Sequence, residues 1–167
     1  MLFRSLTILY TWPQAIHPLS VPEGTRFEAY FDVYFSLWRL AWMAHQLPID
    51  PRHLFDTNIF YPVRHTLAYS DAVLLQGLAG APLIWMGAPT VLVYNLLVLT
   101  GFVLSGLGAF LLVRDLTGSS AAGVIDGLVY AFAPFRFDHY VHLEMIWAQW
   151  MPLALWILHR TRSEEHT

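Results

Sequence analysis

Five ionisable side chains, Arg136, Asp138, His139, His142 and Glu144, crowd into nine positions of "PFRFDHYVHLEMIWAQW" (134–150). A second group, Glu28, Asp32 and Arg39, lies in "FEAYFDVYFSLWRLAWMAHQL" (27–47). These residue types suit proton transfer and anion binding. A carboxylate in a partly dehydrated cleft can act as a general base, because burial raises its pKa towards the working pH. Glu28 and Asp32 stand one helical turn apart, and two close carboxylates raise one of the pair further. Arginine grips anionic oxygens through paired, charge-assisted hydrogen bonds, and Arg39, Arg64 and Arg136 are available for that role.

The histidines invite a metal reading. His139 and His142 are three apart, so on a helix they share a face, and Asp138 or Glu144 could add an oxygen ligand. HxxH alone specifies little and no HExxH pattern is present, so no metal is assigned. Each group also has a plainer reading. The 136–144 cluster can cap the apolar run Met145–Leu158 at headgroup level. The stripe around Asp32 can simply face water, and the arginines can snorkel to headgroups. Asp126, flanked by "AAGVI" and "GLVY", sits in an apolar run where a carboxylate is costly. No role is assigned to it.

The elements that must position these groups are those of a membrane protein. Of 167 residues, 56% are hydrophobic and 13% charged, and the mean hydropathy is +0.47. Seven Trp and eight Tyr suit a membrane interface, where one end of the ring is apolar and the other wet. A net charge of −3 gives no sign of a nucleic-acid surface, and the absence of Cys removes disulfides, thiolate metal sites and cysteine nucleophiles.

Residues 27–47 read as a helix on which Glu28, Asp32, Ser36, Arg39 and Gln46 fall within roughly 80° of one another. Such a narrow polar stripe lies in the interface or faces a wet cavity within a bundle. Pro48 and Pro51 should break it. Residues 54–71 read as an ordered loop on the membrane surface, with Ser70 or Asp71 capping a short helix to about Met86 and a break at Gly87–Pro89. Thr90–Val113 is uncharged and long enough to span, with Gly101, Ser105 and Gly108 forming a close-contact face. Ala121–Phe135 and Met145–Leu158 are further apolar elements, and Leu2–Leu19 reads as a shortened first span. With Arg114 and Arg160 cytoplasmic, the 27–71 region and the 136–144 cluster share the extracytoplasmic side. Trp38, Trp42, Trp147 and Trp150 read as interface anchors. The expected fold is all-α and polytopic, with transmembrane helices and an amphipathic interfacial helix in the first extracytoplasmic loop. Residues 1–161 then form the N-terminal part of one transmembrane domain. Residues 162–167, "RSEEHT" after Thr161, resemble a translated sequencing adapter and are expected to be non-native.

The ordered series "TWPQAIHPLS", "FDVYFSLWRLAWMAHQL", "DPRHLFDTNIFYPVRHTLAYSDAVL", "YNLLVLTGFVLSGLGAFLLVRDLTGS", "AFAPFRFDHYVHLE" and "QWMPLALWILHR" resembles the N-terminal part of bacterial GT-C glycosyltransferases. The resemblance implies an enzyme of the bacterial inner membrane. It would move a sugar from a polyprenyl-phosphate donor to a glycan, lipid or protein acceptor hydroxyl on the extracytoplasmic side. Asp32 matches the early acidic residue of that family. On this reading Asp32 and Glu28 are the catalytic candidates, and Arg39, Arg64, Arg136, His139, His142 and Glu144 the substrate-binding ones. No cofactor is implied. A directly adjacent acidic pair, as in protein mannosyltransferases, is absent. A membrane transporter or lipid-binding assembly subunit, lining a path with the same stripe, is the alternative.

Overall fold

The computed structural model describes the backbone of residues 1–22 and 27–165, and the side chains of 1–22 and 31–162. All regular structure among these residues is helical. The helices are α1 (Leu2–Tyr10), α2 (Phe27–Ile49), α3 (Leu74–Trp85), α4 (Thr90–Thr117), α5 (Ser120–Ala131), α6 (Pro134–Asp138), α7 (Leu143–Ile146) and α8 (Trp150–Glu165). Short 3-10 turns occupy Gln14–Ile16, Pro51–His53 and Thr66–Tyr69. Two compact units emerge. One comprises Met1–Ile16, Val98–Tyr140 and Met145–Thr167; the other comprises His17–Leu97 and Val141–Glu144.

In the second unit, α2 follows the predicted helix but runs through Pro48 to Ile49. A proline near the end of a helix costs little if the carbonyl it strands finds another donor. Pro48 cannot donate to the carbonyl of Ala44, and that carbonyl instead accepts from Trp85 Nε1 at 2.7 Å. The indole thus substitutes for the missing amide and ties α3 to α2. Close approach of the two helices is also sequence-encoded: a Cβ on Gly77 would lie 2.8 Å from Met43 Cγ. The cap of α3 differs from expectation. Val73, in the left-handed region at φ 44°, is the N-cap and offers no side-chain bond, while Asp71 is engaged elsewhere, through its backbone. Asn95, fully buried on α4, donates to the carbonyls of Pro18 and Ser20.

Indoles of α2 pin the loop that follows it. Trp42 Nε1 donates to the carbonyl of Leu54 at 2.8 Å, and Trp38 Nε1 to Asn58 Oδ1 at 3.2 Å. Asp50 and His53 pair at 2.6 Å, and Asp56 lies 3.3 Å from His65.

In the first unit the small-residue face of α4 is used for packing. Gly101 is in contact range of Ile146 and Trp147, and Gly108 of Pro152, Leu153 and the carbonyl of Gln149. Trp147 is therefore buried, whereas Trp150 is half exposed. Helix α5 approaches α4 so closely that a Cβ on Gly127 would fall 2.6 Å from the carbonyl oxygen of Gly106. Trp156 Nε1 of α8 donates to Asp115 Oδ2 on α4 at 2.6 Å.

Among the described residues only α4 is long and apolar enough to cross a membrane. The element expected over 121–135 is a 12-residue helix, and that over 2–19 is nine residues followed by a turn. Each is shorter than the roughly 20 residues of a straight span. Helix α8 runs from Trp150 through Thr161 to Glu165.

Candidate functional site

Helix α2 places Asp32, Ser36 and Arg39 at i, i+4 and i+7, on one face. The expectation that this stripe faces water or a wet cavity is corrected for Ser36 and Arg39, whereas Asp32 is half exposed. Ser36 is fully buried and Arg39 is 3% exposed. The outward face carries aromatic side chains instead, Phe31 and Tyr34. The physical reason lies in the acceptors that surround the guanidinium. Arg39 donates to the carbonyl of Asp71 at 2.5 Å, to Ser36 Oγ at 2.8 Å and to Glu144 Oε2 at 3.3 Å. Its plane also lies over the Phe35 ring, 4.6 Å from the centroid. A buried arginine is tolerated only with such compensation. A phosphate reaching Arg39 would have to displace Glu144 or the Asp71 carbonyl.

The segment carrying His142 and Glu144 is fixed from several directions. Tyr94, buried on α4, donates its hydroxyl to the carbonyl of Val141 at 2.9 Å. Leu143 is fully buried. His142 Nε2 then stands 3.4 Å from Asp32 Oδ2, while Glu144 meets Arg39. The spacing works because long helical side chains lean back towards the helix N-terminus. Asp32 and Arg39 are about 10 Å apart along the axis, whereas residues two apart in the chain span at most about 7 Å. Arg39 folds back to Ser36, and this shortens the reach to the spacing of residues 142 and 144. Two groups more than a hundred positions apart in sequence thus form one cluster: Asp32 opposite His142, Arg39 opposite Glu144. The carboxylate of Asp32 is 49% exposed and the imidazole of His142 31%, so the cluster opens to the outside at Asp32.

No protein-family model, curated protein or solved structure matches this chain.

The remaining candidates lie elsewhere. The side chain of Glu28 is outside the described residues. Arg64 is exposed on the loop before the Thr66–Tyr69 turn. Arg136 belongs to the other unit and is 5% exposed. It donates to the carbonyl of Ile146 at 2.5 Å and rests on the Phe102 ring, 5.0 Å from its centroid. This arginine braces the chain between α6 and α8. His139 stacks on Phe135 at 4.1 Å, and its Nδ1 lies 2.9 Å from the Phe135 carbonyl.

The shared helical face expected for His139 and His142 is not formed. Helix α6 ends at Asp138 and α7 begins at Leu143, so both histidines lie in the break between them. Among the described residues no three His, Asp or Glu gather as a metal-ligating group.

Sequence reasoning missed Tyr94 and the Asp71 carbonyl. A tyrosine inside an apolar run is a usable signal, since a buried hydroxyl usually finds an acceptor. A backbone carbonyl leaves no such trace.

Proposed function

We propose that the chain is the N-terminal part of a polytopic bacterial inner-membrane glycosyltransferase. It moves a sugar from a polyprenyl-phosphate donor to an acceptor hydroxyl on the extracytoplasmic side. One observation carries this reading: two residues of the 136–144 stretch, His142 and Glu144, meet the Asp32 stripe through Asp32–His142 and Arg39–Glu144. A half-exposed carboxylate beside a fixed ionic framework is within reach of an acceptor hydroxyl, the geometric condition for a general base.

The surface supports membrane embedding beyond α4. Ile125 and Val129 on α5, and Met151 and Ile157 on α8, are all more than half exposed. Apolar side chains left open in such numbers suit contact with lipid. Shorter helices enter the bilayer as parts of spans completed by neighbouring protein. Helix α2, with aromatic side chains outward, lies at the interface of the first extracytoplasmic loop.

In this mechanism Asp32 accepts the proton of the acceptor hydroxyl, whose oxygen attacks the anomeric carbon with inversion as the lipid phosphate departs. Arg39 sets the framework, and exposed Arg64 is the candidate for the phosphate. The test is transfer from a polyprenyl-phosphate sugar by the full-length protein in proteoliposomes. Asp32→Asn should abolish transfer with membrane insertion intact; undiminished transfer removes Asp32 from the mechanism.

A further inference from the structure

His142 presents its two ring nitrogens to different surroundings. Nδ1 is buried; Nε2 faces Asp32 Oδ2 at 3.4 Å. Of the pair, the carboxylate is the more exposed. A substrate arriving from outside therefore finds Asp32 the more accessible of the two, with one imidazole nitrogen buried. The ring has little freedom to turn away. Tyr94 holds Val141, Leu143 is buried, and Glu144 is tied to Arg39.

We propose that His142 is the positioning residue of Asp32. Its Nε2–H is directed at Oδ2, which fixes the carboxylate in one orientation and leaves Oδ1 to take the acceptor proton. The inference rests on the transfer reading above and refines it, because His142 then acts through Asp32 and not on the sugar. In the step itself the acceptor O–H bond breaks and its proton passes to Asp32 Oδ1. The oxygen forms its bond to the anomeric carbon, and the carbon–oxygen bond to phosphate breaks with its electron pair leaving on the phosphate. Among the described residues, the neighbouring charged groups Arg39 and Glu144 pair with each other.

Two measurements test this. In the transfer assay with full-length protein, His142→Ala should lower kcat on the order of 10²-fold, the scale of a misplaced reacting group, with KM for the donor unchanged. His142→Gln, which keeps an N–H near the Nε2 position, should recover most of the rate. Unchanged kcat, or a loss confined to KM, overturns the proposal; the second result would mark a direct sugar contact.

The other measurement needs no activity. The ring ¹⁵N shifts of His142 in the protein in lipid nanodiscs should change on Asp32→Ala. Unchanged shifts refute the pairing. Changed shifts in a protein that transfers no sugar keep the pairing and reject the transfer reading alone.

Discussion

Arg39 and Glu144, 105 positions apart, meet at 3.3 Å with the guanidinium side chain 4% exposed and the carboxylate 20%. Removing one partner of a buried pair strands the other charge, which costs about 3–5 kcal/mol. Arg39→Ala should therefore lower the thermal stability of the protein in detergent strongly. It also leaves Ser36 and the Asp71 carbonyl without their donor. Glu144→Gln should cost less, because an amide oxygen still accepts. The double variant Arg39→Ala, Glu144→Gln should cost less than the sum of the two single changes; a strictly additive result would mean that the two side chains are not coupled.

The bond from Trp85 to the Ala44 carbonyl makes a separate prediction. Trp85→Phe keeps most of the apolar ring and removes the donor, so the carbonyl is left unpaired at a cost of about 1–3 kcal/mol. In a Pro48→Ala background the restored amide can close the ordinary helical bond to Ala44. The same Trp85→Phe change should then cost measurably less. Equal costs in both backgrounds would show that the indole is not compensating for the proline.

Gly127 faces the backbone oxygen of Gly106 with no space for a methyl group. Backbone cannot give way as a flexible side chain would, so Gly127→Ala should separate α5 from α4 and cost about 1–3 kcal/mol. Thermal unfolding in detergent checks the magnitude. Gly118→Ala is the contrast: nothing lies within 4 Å, and its cost should come from the positive φ of 68° alone.

Asp50 is hydrogen-bonded by His53, which holds its carboxyl below the usual aspartate range, against a smaller opposing effect of burial. A depressed acid stabilises the fold above its unfolded pKa, and that contribution disappears as pH falls through the folded value. Carboxyl NMR titration should show Asp50 with a midpoint below that of an unpaired aspartate. His53→Ala should move the midpoint up. The pair is solvent-exposed, so the effect on overall stability should be small.

Much of the helical layout was legible in the sequence. The periodicity over 27–47 marked α2, and the uncharged run from Thr90 marked α4, because both signals are local. The direction of the α2 stripe was not legible. A polar stripe looks the same whether it meets water or the buried acceptors supplied by Asp71 and Glu144. The break between α6 and α7 was equally hidden, since His139 and His142 have helical spacing in a stretch whose backbone turns between two short helices. Arg136 shows the same limit from the other side. Its charge suggested a ligand contact, but the carbonyls of Ile146 and Gly101 that surround it have no signature in residue type.

The unit that holds the cluster is assembled from two separated stretches, His17–Leu97 and Val141–Glu144. During synthesis Arg39 leaves the ribosome long before its carboxylate partner exists. An arginine destined for burial must stay hydrated, or borrow a lipid headgroup, until residues 98–140 have been made. The cluster thus has a fixed order of birth. A chain stopped before Glu144 would carry Asp32 and Arg39 but could not close the framework around them.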